Sequence, residues 1–206
     1  MNFIVARLLQ YLNEEEAFWV LCQIIETMLP PDYYANMVGV LIDQKVFKRR
    51  VTKNFQELTQ HFETFGFDPS LLAFQWFVCF FTLNINENVS LRLWDLFMLK
   101  GIRVLFGAGL AYLEHLRQKL MDVQDLASLF MMFDQVQKTE EVNNQRFFSV
   151  VGFYYQNFKE STLDRIRTDS RKEVEDELQS LISSRGTTST VKGPIDKMQA
   201  INKFYL

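Results

Sequence analysis

The chain has 206 residues, 48% of them apolar and 20 of them Phe, enough to bury a sizeable core in one domain. Lys and Arg total 22 against 25 Asp and Glu, a formal net charge of -3, which argues against a general nucleic-acid binder. Its two cysteines, Cys22 and Cys79, lie in apolar helical runs, so they read as buried free thiols of an intracellular protein rather than a disulfide framework.

Residues 1–12 are apolar nearly all round at helical spacing, which is the pattern of a fully buried helix. No N-cap residue precedes that run, so covering neighbours are expected upstream of Met1. An uncovered face there would favour self-association. The run is too short to span a membrane and lacks the basic start and cleavage site of a signal peptide. Residues 71–83 are also too short to span. A cytosolic-type protein without a transmembrane segment is expected.

Asn13 followed by Glu14, Glu15 and Glu16 is a helix start, with Ala17, Phe18, Leu21, Ile24, Ile25 and Met28 on one stripe. Pro30 and Pro31 stop it. A turn through Asp32, Tyr33 and Tyr34 leads to a third helix with Val38, Leu41, Ile42 and Val46 inward. A fourth helix is predicted from about Thr52, burying Phe55, Leu58, Phe62 and Phe65 and ending at Gly66. Asp68 and Pro69 open a fifth, apolar on all faces and therefore central. Asn84 and Asn86 interrupt the pattern before a helix through Val89, Leu93, Leu96 and Phe97, which Gly101 ends. A longer helix runs from Ile102 to Leu120, and Asp122 is placed to cap the next, with Leu126, Leu129, Phe130 and Phe133 inward. Residues 138–144 read as a loop, and Phe147, Phe148, Val151, Tyr154, Tyr155 and Phe158 as a strongly apolar helix. Residues 159–182 are charge-rich around a thin stripe of Leu163, Ile166, Val174, Leu178 and Leu181, a solvated helix on the surface or projecting from it. Residues 183–193 read as a flexible linker before a short tail ending in Phe204, Tyr205 and Leu206. With clear two-residue alternation scarce, the fold class is all-α, a multi-helix bundle.

Chemistry is sparse. No phosphate loop, no H-E-x-x-H, no paired C-x-x-C and no G-x-S-x-G elbow is present, so no metal or cofactor is implied. His61 and His115 lack ligand partners at helical spacing. Asp95 in Arg92-Leu93-Trp94-Asp95-Leu96-Phe97 sits among apolar residues and needs a partner if buried, which Arg92 can supply on one helix face. Asp43 poses the same question. Both read as a buried ion pair or a cap in preference to a catalytic acid. Lys45, Lys48, Arg49, Arg50 and Lys53 cluster at a helix end, which complements the helix dipole; an acidic partner or anionic lipid is the alternative.

Several segments together resemble the TBC domain, the all-helical Rab GTPase-activating family. Met1-Asn2-Phe3-Ile4 resembles what directly follows the family's Tyr-x-Gln-Gly motif. Glu14-Glu15-Glu16-Ala17-Phe18-Trp19 is similar to its next helix start, and Leu29-Pro30-Pro31-Asp32-Tyr33-Tyr34 to its Leu-Pro-x-x-Tyr-Tyr turn. Asp43-Gln44, Trp76-Phe77 with Phe80, and Arg92-Leu93-Trp94-Asp95 closed by Gly101 resemble its later blocks, in order over residues 1–135.

The resemblance implies an orthogonal helical bundle that is the C-terminal half of a TBC domain. Residues 1–135 would be part of it, 136–158 its closing helix, and 159–206 a charged surface helix and flexible tail. It also implies a role in vesicle trafficking, in the cytoplasm and at endomembranes, with a GTP-bound Rab-type GTPase as partner. In the family an arginine in Ile-x-x-Asp-x-x-Arg and a glutamine in Tyr-x-Gln act on the partner's nucleotide, an arginine in trans being worth about 10³ to 10⁵ in rate. Both are expected upstream of Met1, so no catalytic residue is assigned in this chain. Arg7 follows the glutamine position inside a helix read as buried and is not taken as a finger. Asn2 and Phe3 are the partner-facing candidates. Trp19, Tyr33, Asp43, Trp76, Arg92, Trp94 and Asp95 are structural motif residues, and Phe3, Trp19, Trp76 and Trp94 read as core. The second reading is a TBC-like module that binds a GTPase or scaffold without catalysis.

Overall fold

The computed structural model describes residues 2–34, 37–83, 85–138 and 144–184. Ten α-helices and one π-helical turn, with no strand among the described residues, make an all-α bundle. They are α1 (Asn2–Leu8), α2 (Glu14–Gln23), the π-turn (Ile24–Met28), α3 (Val38–Asn54), α4 (Gln56–Thr64), α5 (Ser70–Cys79), α6 (Glu87–Lys100), α7 (Arg103–Asp122), α8 (Leu126–Lys138), α9 (Gln145–Asn157) and α10 (Glu160–Ser184).

The centre is α7. Every residue from Val104 to Leu113 is buried, so this helix has neighbours on all sides. Helix α9 runs antiparallel along it: Arg103 reaches the Phe158 carbonyl at one end, and Tyr112 meets the Phe147 ring at the other. Close packing needs missing side chains as well as large ones. A Cβ on Gly109 would lie 2.6 Å from a ring carbon of Phe47 on α3, inside contact distance. Helices α3, α5 and α6 complete the inner shell, and α10 lies back across α3.

Several starts and stops match local chemistry. Asn13 and Glu16 form a reciprocal capping box, the Glu16 N–H donating to Asn13 at 2.9 Å and the Asn13 N–H to Glu16 at 3.2 Å. Asn86 caps α6, and Asn144 caps α9. Gly66 and Gly101 leave α4 and α6 at φ +69° and +75°, where a side chain would be strained. Other boundaries differ from those the sequence suggests. Helix α3 continues past Thr52 to Asn54, and α4 begins only after Phe55, whose φ of -136° breaks the helix. Asp122 closes α7, and Asp125 does the capping of α8 by accepting from the Ser128 N–H at 2.9 Å. The second helix changes to a π-turn at Ile24, which disrupts the single stripe expected from Ala17 to Met28. Asn84, most of the 138–144 loop, the 183–193 linker beyond Ser184 and the aromatic tail lie outside the described residues.

The first helix also corrects expectation. Helix α1 is seven residues long and buries only Ile4 and Leu8, one i, i+4 pair. Of its other apolar residues, Val5 is half-buried and Phe3 and Ala6 are exposed.

Candidate functional site

The α1–α2 corner carries an unusual surface. Phe3, Leu9, Tyr11, Phe18 and Trp19 are all exposed, Phe18 by 55% and Trp19 by 62%. The Phe18 and Trp19 rings meet edge to face at 5.2 Å. Trp19 and Phe3 therefore leave the core to which the sequence assigned them. The physical reason is a shortage of neighbours: α2 packs on α1 and the π-turn, and Ala17 is its only buried residue. Large apolar side chains are thus left at the surface of this corner rather than packed into the core. The corner is nevertheless held in place. Glu87 at the start of α6 accepts from Arg7 at 2.7 Å and from Tyr11 at 2.9 Å. Arg7 is thus tied to the scaffold. Asn2, also exposed, precedes Phe3 at the start of α1.

A second constellation closes the C-terminus of α5. The last four carbonyls of a helix lack partners within it. Here each finds one. Trp76 O accepts from the Phe80 and Phe81 amides, Phe77 O from the Tyr33 hydroxyl at 3.4 Å, Val78 O from the Tyr34 hydroxyl at 2.9 Å, and Cys79 O from the Thr82 amide at 3.0 Å. The next carbonyl, of Phe80, accepts from the Trp94 indole N–H at 2.8 Å. Phe80 and Phe81 take left-handed φ values of 49° and 55°, an unusual state for aromatic residues. It turns the Phe80 ring among Tyr33, Tyr34, Trp94 and Phe97. Burial raises the Tyr33 and Tyr34 hydroxyls well above the ordinary tyrosine range, so both remain donors. On the other side, Trp76 stacks on Phe81 and Tyr112 and meets Phe47 and Phe133 edge to face.

The third constellation fastens α10. Asp43 is 1% exposed and accepts two bonds from Arg167, from Nε at 2.7 Å and Nη2 at 2.8 Å. Such a fork is the strong form of a charged hydrogen bond. Burial raises the Asp43 carboxyl above the usual range while Arg167 opposes the rise. Burial likewise works against the Arg167 charge, but Asp43 outweighs it and keeps the guanidinium firmly protonated. Beside this anchor, Leu163, Ser170 and Val174 are buried against the bundle. Lys45 pairs with Glu177, Arg49 with Glu173, and Arg171 with Asp32. The acidic partner of the α3 basic cluster is thus α10 of the same chain. Lys48 pairs instead with Asp68, and Arg50 lies over the Phe158 ring at 4.5 Å. Burial pushes the Asp68 carboxyl up, but the Lys48 bond and the Ser70 amide outweigh it and hold it below the usual range.

A sequence model of the Rab-GTPase-TBC domain matches residues 1–121. The chain belongs to this family. TBC1 domain family member 2B of Mus musculus is 34% identical over 131 residues, 63% of this chain and 14% of the relative. TBC1 domain family member 2A of Homo sapiens is 31% identical over 184 residues, 88% of this chain and 20% of the relative, a match that reaches past the family-matched segment. Small G protein signaling modulator 3 of Bos taurus is 34% identical over 130 residues, 63% of this chain and 17% of the relative. The chain therefore spans between 14% and 20% of the length of these relatives.

Within the TBC chain, the resembling blocks divide by fate. Tyr33, Trp76 and Trp94 gather around the two sides of the α5 terminus. Asp43 anchors α10, and its neighbour Gln44 donates to the Ser70 carbonyl at 3.1 Å. Arg92 and Asp95 do not form the buried pair expected of them. Both are exposed on α6, and the Arg92 guanidinium stacks over Phe148 at 3.7 Å. Trp94, between them in sequence, is the member that faces inward, because only one side of α6 meets the core. His61 donates to the Val123 carbonyl at 2.7 Å, and His115 lies against Phe147. Cys79 is buried, whereas Cys22 is only half-buried.

One tripeptide, Tyr154-Tyr155-Gln156, spells the Tyr-x-Gln string. It stands on α9, after all the resembling blocks, with Tyr154 bonded to Glu114 and Tyr155 accepting from Gln156. It is out of order for the TBC motif. Arg167 is the residue that sequence reasoning missed. Its partner lies 124 positions away, and no local pattern links them. Among the described residues no cluster of three His, Cys, Asp or Glu is placed to hold a metal, and no helix is long and apolar enough to cross a membrane.

Proposed function

We propose that this chain is the second half of a GTPase-activating domain for Rab-type small GTPases. Residues that precede Asn2 in the whole protein would supply the arginine and glutamine fingers. The chain alone is then a scaffold: it positions the fingers and presents Asn2 and Phe3 beside them, and it is inactive by itself. The observation that carries this reading is the family match over residues 1–121, joined to an open aromatic corner at the family block that follows the glutamine motif. The name of one relative, a small G protein signaling modulator, agrees with the partner class. The site of action would be the cytoplasmic surface of endomembranes, where such a partner resides. In the isolated chain the same corner would pair two copies.

The test compares this chain with an N-terminally extended one, measuring GTP hydrolysis by a panel of Rab GTPases. No acceleration is expected from the chain alone. The extended form should accelerate one or more by about 10³ to 10⁵. Acceleration by the chain alone would overturn the account of upstream fingers. GTPase binding by the extended form without acceleration would favour the alternative, a non-catalytic TBC-like module.

A further inference from the structure

Arg167 does more than neutralise Asp43. With Nε and Nη2 taken by the carboxylate, Nη1 is left for a groove of about 540 Å³ that Arg167 also lines. That groove lies where the start of α10, the α6–α7 junction and residues 27–30 meet. Its volume is in the range of small-molecule sites. Three more cations line it: Lys100 at the end of α6, Arg103 at the start of α7, and Arg171 on α10. Arg171 is engaged with Asp32 at 2.6 Å. Among the described residues neither Lys100 nor Arg103 has a carboxylate partner, and Arg103 uses one nitrogen on the Phe158 carbonyl at 3.3 Å. The starts of α7 and α10 contribute lining residues, and so do the ends of α6 and the π-turn, so the partial charges of the helix ends offset one another and the side chains set the charge of the groove. Two carboxylates, Glu160 and Asp164, line the same space.

This lining is not a generic basic patch. A bare phosphate would meet the cations but would be repelled by the two carboxylates. A phosphorylated polyol satisfies both sets: its phosphoryl oxygens accept from guanidinium and ammonium groups, and its hydroxyls donate to carboxylates. Part of the receptor is also already ordered. The buried Asp43 bond holds the Arg167 plane in place, so binding does not have to restrict that long side chain again.

We propose that the groove binds a phosphorylated polyol, its phosphoryl group held by Lys100, Arg103 and Arg167 Nη1 and its hydroxyls by Glu160 and Asp164. The chemistry is shared by a soluble sugar or inositol phosphate and by the headgroup of a phosphorylated inositol lipid. It involves none of Phe3, Phe18 or Trp19, so it stands apart from the GTPase-activating role.

The test is calorimetric titration of the whole chain with myo-inositol monophosphate and, separately, with inorganic phosphate. Saturable binding of the inositol phosphate is expected. Lys100→Ala and Arg103→Ala should each weaken it about tenfold, the loss of one charge-assisted bond. Lys138→Ala, on α8, should leave it unchanged. Replacing both acids, Glu160→Gln with Asp164→Asn, should weaken the inositol phosphate and strengthen inorganic phosphate. Flotation with phosphatidylcholine vesicles, with and without a phosphoinositide, separates the sources: phosphoinositide-dependent flotation lost in Arg103→Ala assigns the lipid headgroup, and its absence alongside soluble binding assigns the soluble compound. Absent saturation, or binding unmoved by Lys100→Ala and Arg103→Ala in variants that keep their helical circular dichroism, overturns the site. Tightening of both ligands in the doubly neutralised variant overturns the polyol assignment.

Discussion

Two aromatic dipeptides in this chain meet opposite fates. Trp76-Phe77 on α5 is buried, Trp76 to 2% and Phe77 completely. Phe18-Trp19 on α2 is more than half exposed at both positions. Both pairs lie on ten-residue helices, and although α2 opens with Glu14, Glu15 and Glu16 where α5 carries no charge, composition separates them only in part. The difference is in what surrounds each helix. Helix α5 is enclosed by α3 and α7, and its open end is closed by three polar side chains from other segments. Helix α2 touches only α1 and the π-turn closely. The centre of the domain is therefore closed, while the first corner leaves large apolar side chains at the surface.

The sharpest way to break that comparison is to truncate the two tryptophans. Trp76→Ala should destabilise the chain by about 3–5 kcal/mol, because four rings pack against the indole and no rearrangement refills the space. Trp19→Ala should change stability by no more than about 0.5 kcal/mol in urea unfolding. It should also weaken self-association in light scattering if the open corner pairs copies. Equal costs at the two positions would mean that the corner is not open in solution.

Next in size is the Asp43–Arg167 anchor. Arg167→Ala leaves a carboxylate buried without its counter-charge, a loss of about 3 kcal/mol. Its pH dependence identifies the cause. Burial already raises the Asp43 pKa above the unfolded value, and removing Arg167 removes what opposes that rise. The folded state then binds the proton more tightly than the unfolded one. The deficit should be full above the raised folded pKa and should shrink as pH falls through it toward the unfolded value near about 4. Denaturant midpoints of the variant and parent, measured from neutral to mildly acidic pH, should converge. A gap that stays constant on acidification would assign the loss to packing.

The smallest expected effects test how the α5 terminus is finished. Tyr34→Phe and Trp94→Phe each remove one donor and leave the Val78 or Phe80 carbonyl without it. Each should cost about 1–2 kcal/mol, the Trp94 change more because its partner is the more deeply buried and volume is lost as well. Thermal unfolding of both single variants and the double gives the coupling directly. An additive pair would show that the two bonds act independently; a sub-additive pair would show that they hold one turn, at Phe80 and Phe81.

Much of the domain was legible in the chain. The capping box at Asn13 and Glu16 and the stops at Gly66 and Gly101 rest on chemistry within a few residues, so helix count and order could be read directly. The TBC resemblance was legible for the same reason, as short blocks in a fixed order. Boundaries decided by packing were harder. Asp125 caps α8 because the turn after α7 places it there, and α3 runs on through the exposed Thr52, Lys53 and Asn54 until Phe55 turns into the core. The neighbours of Asp95 in sequence are apolar, yet on α6 it points away from the core that Trp94 enters.

The sequence by itself determined what is periodic and local: which segments are helical, where most begin and end, and which family's blocks they carry. Only the tertiary structure decided which aromatic residues are core and which are surface, that α10 folds back onto α3, and that Arg167 answers Asp43 across 124 positions. The reason is physical. A capped turn is stabilised by residues that are neighbours along the chain, whereas burial and charge pairing depend on segments that meet only after the chain has folded.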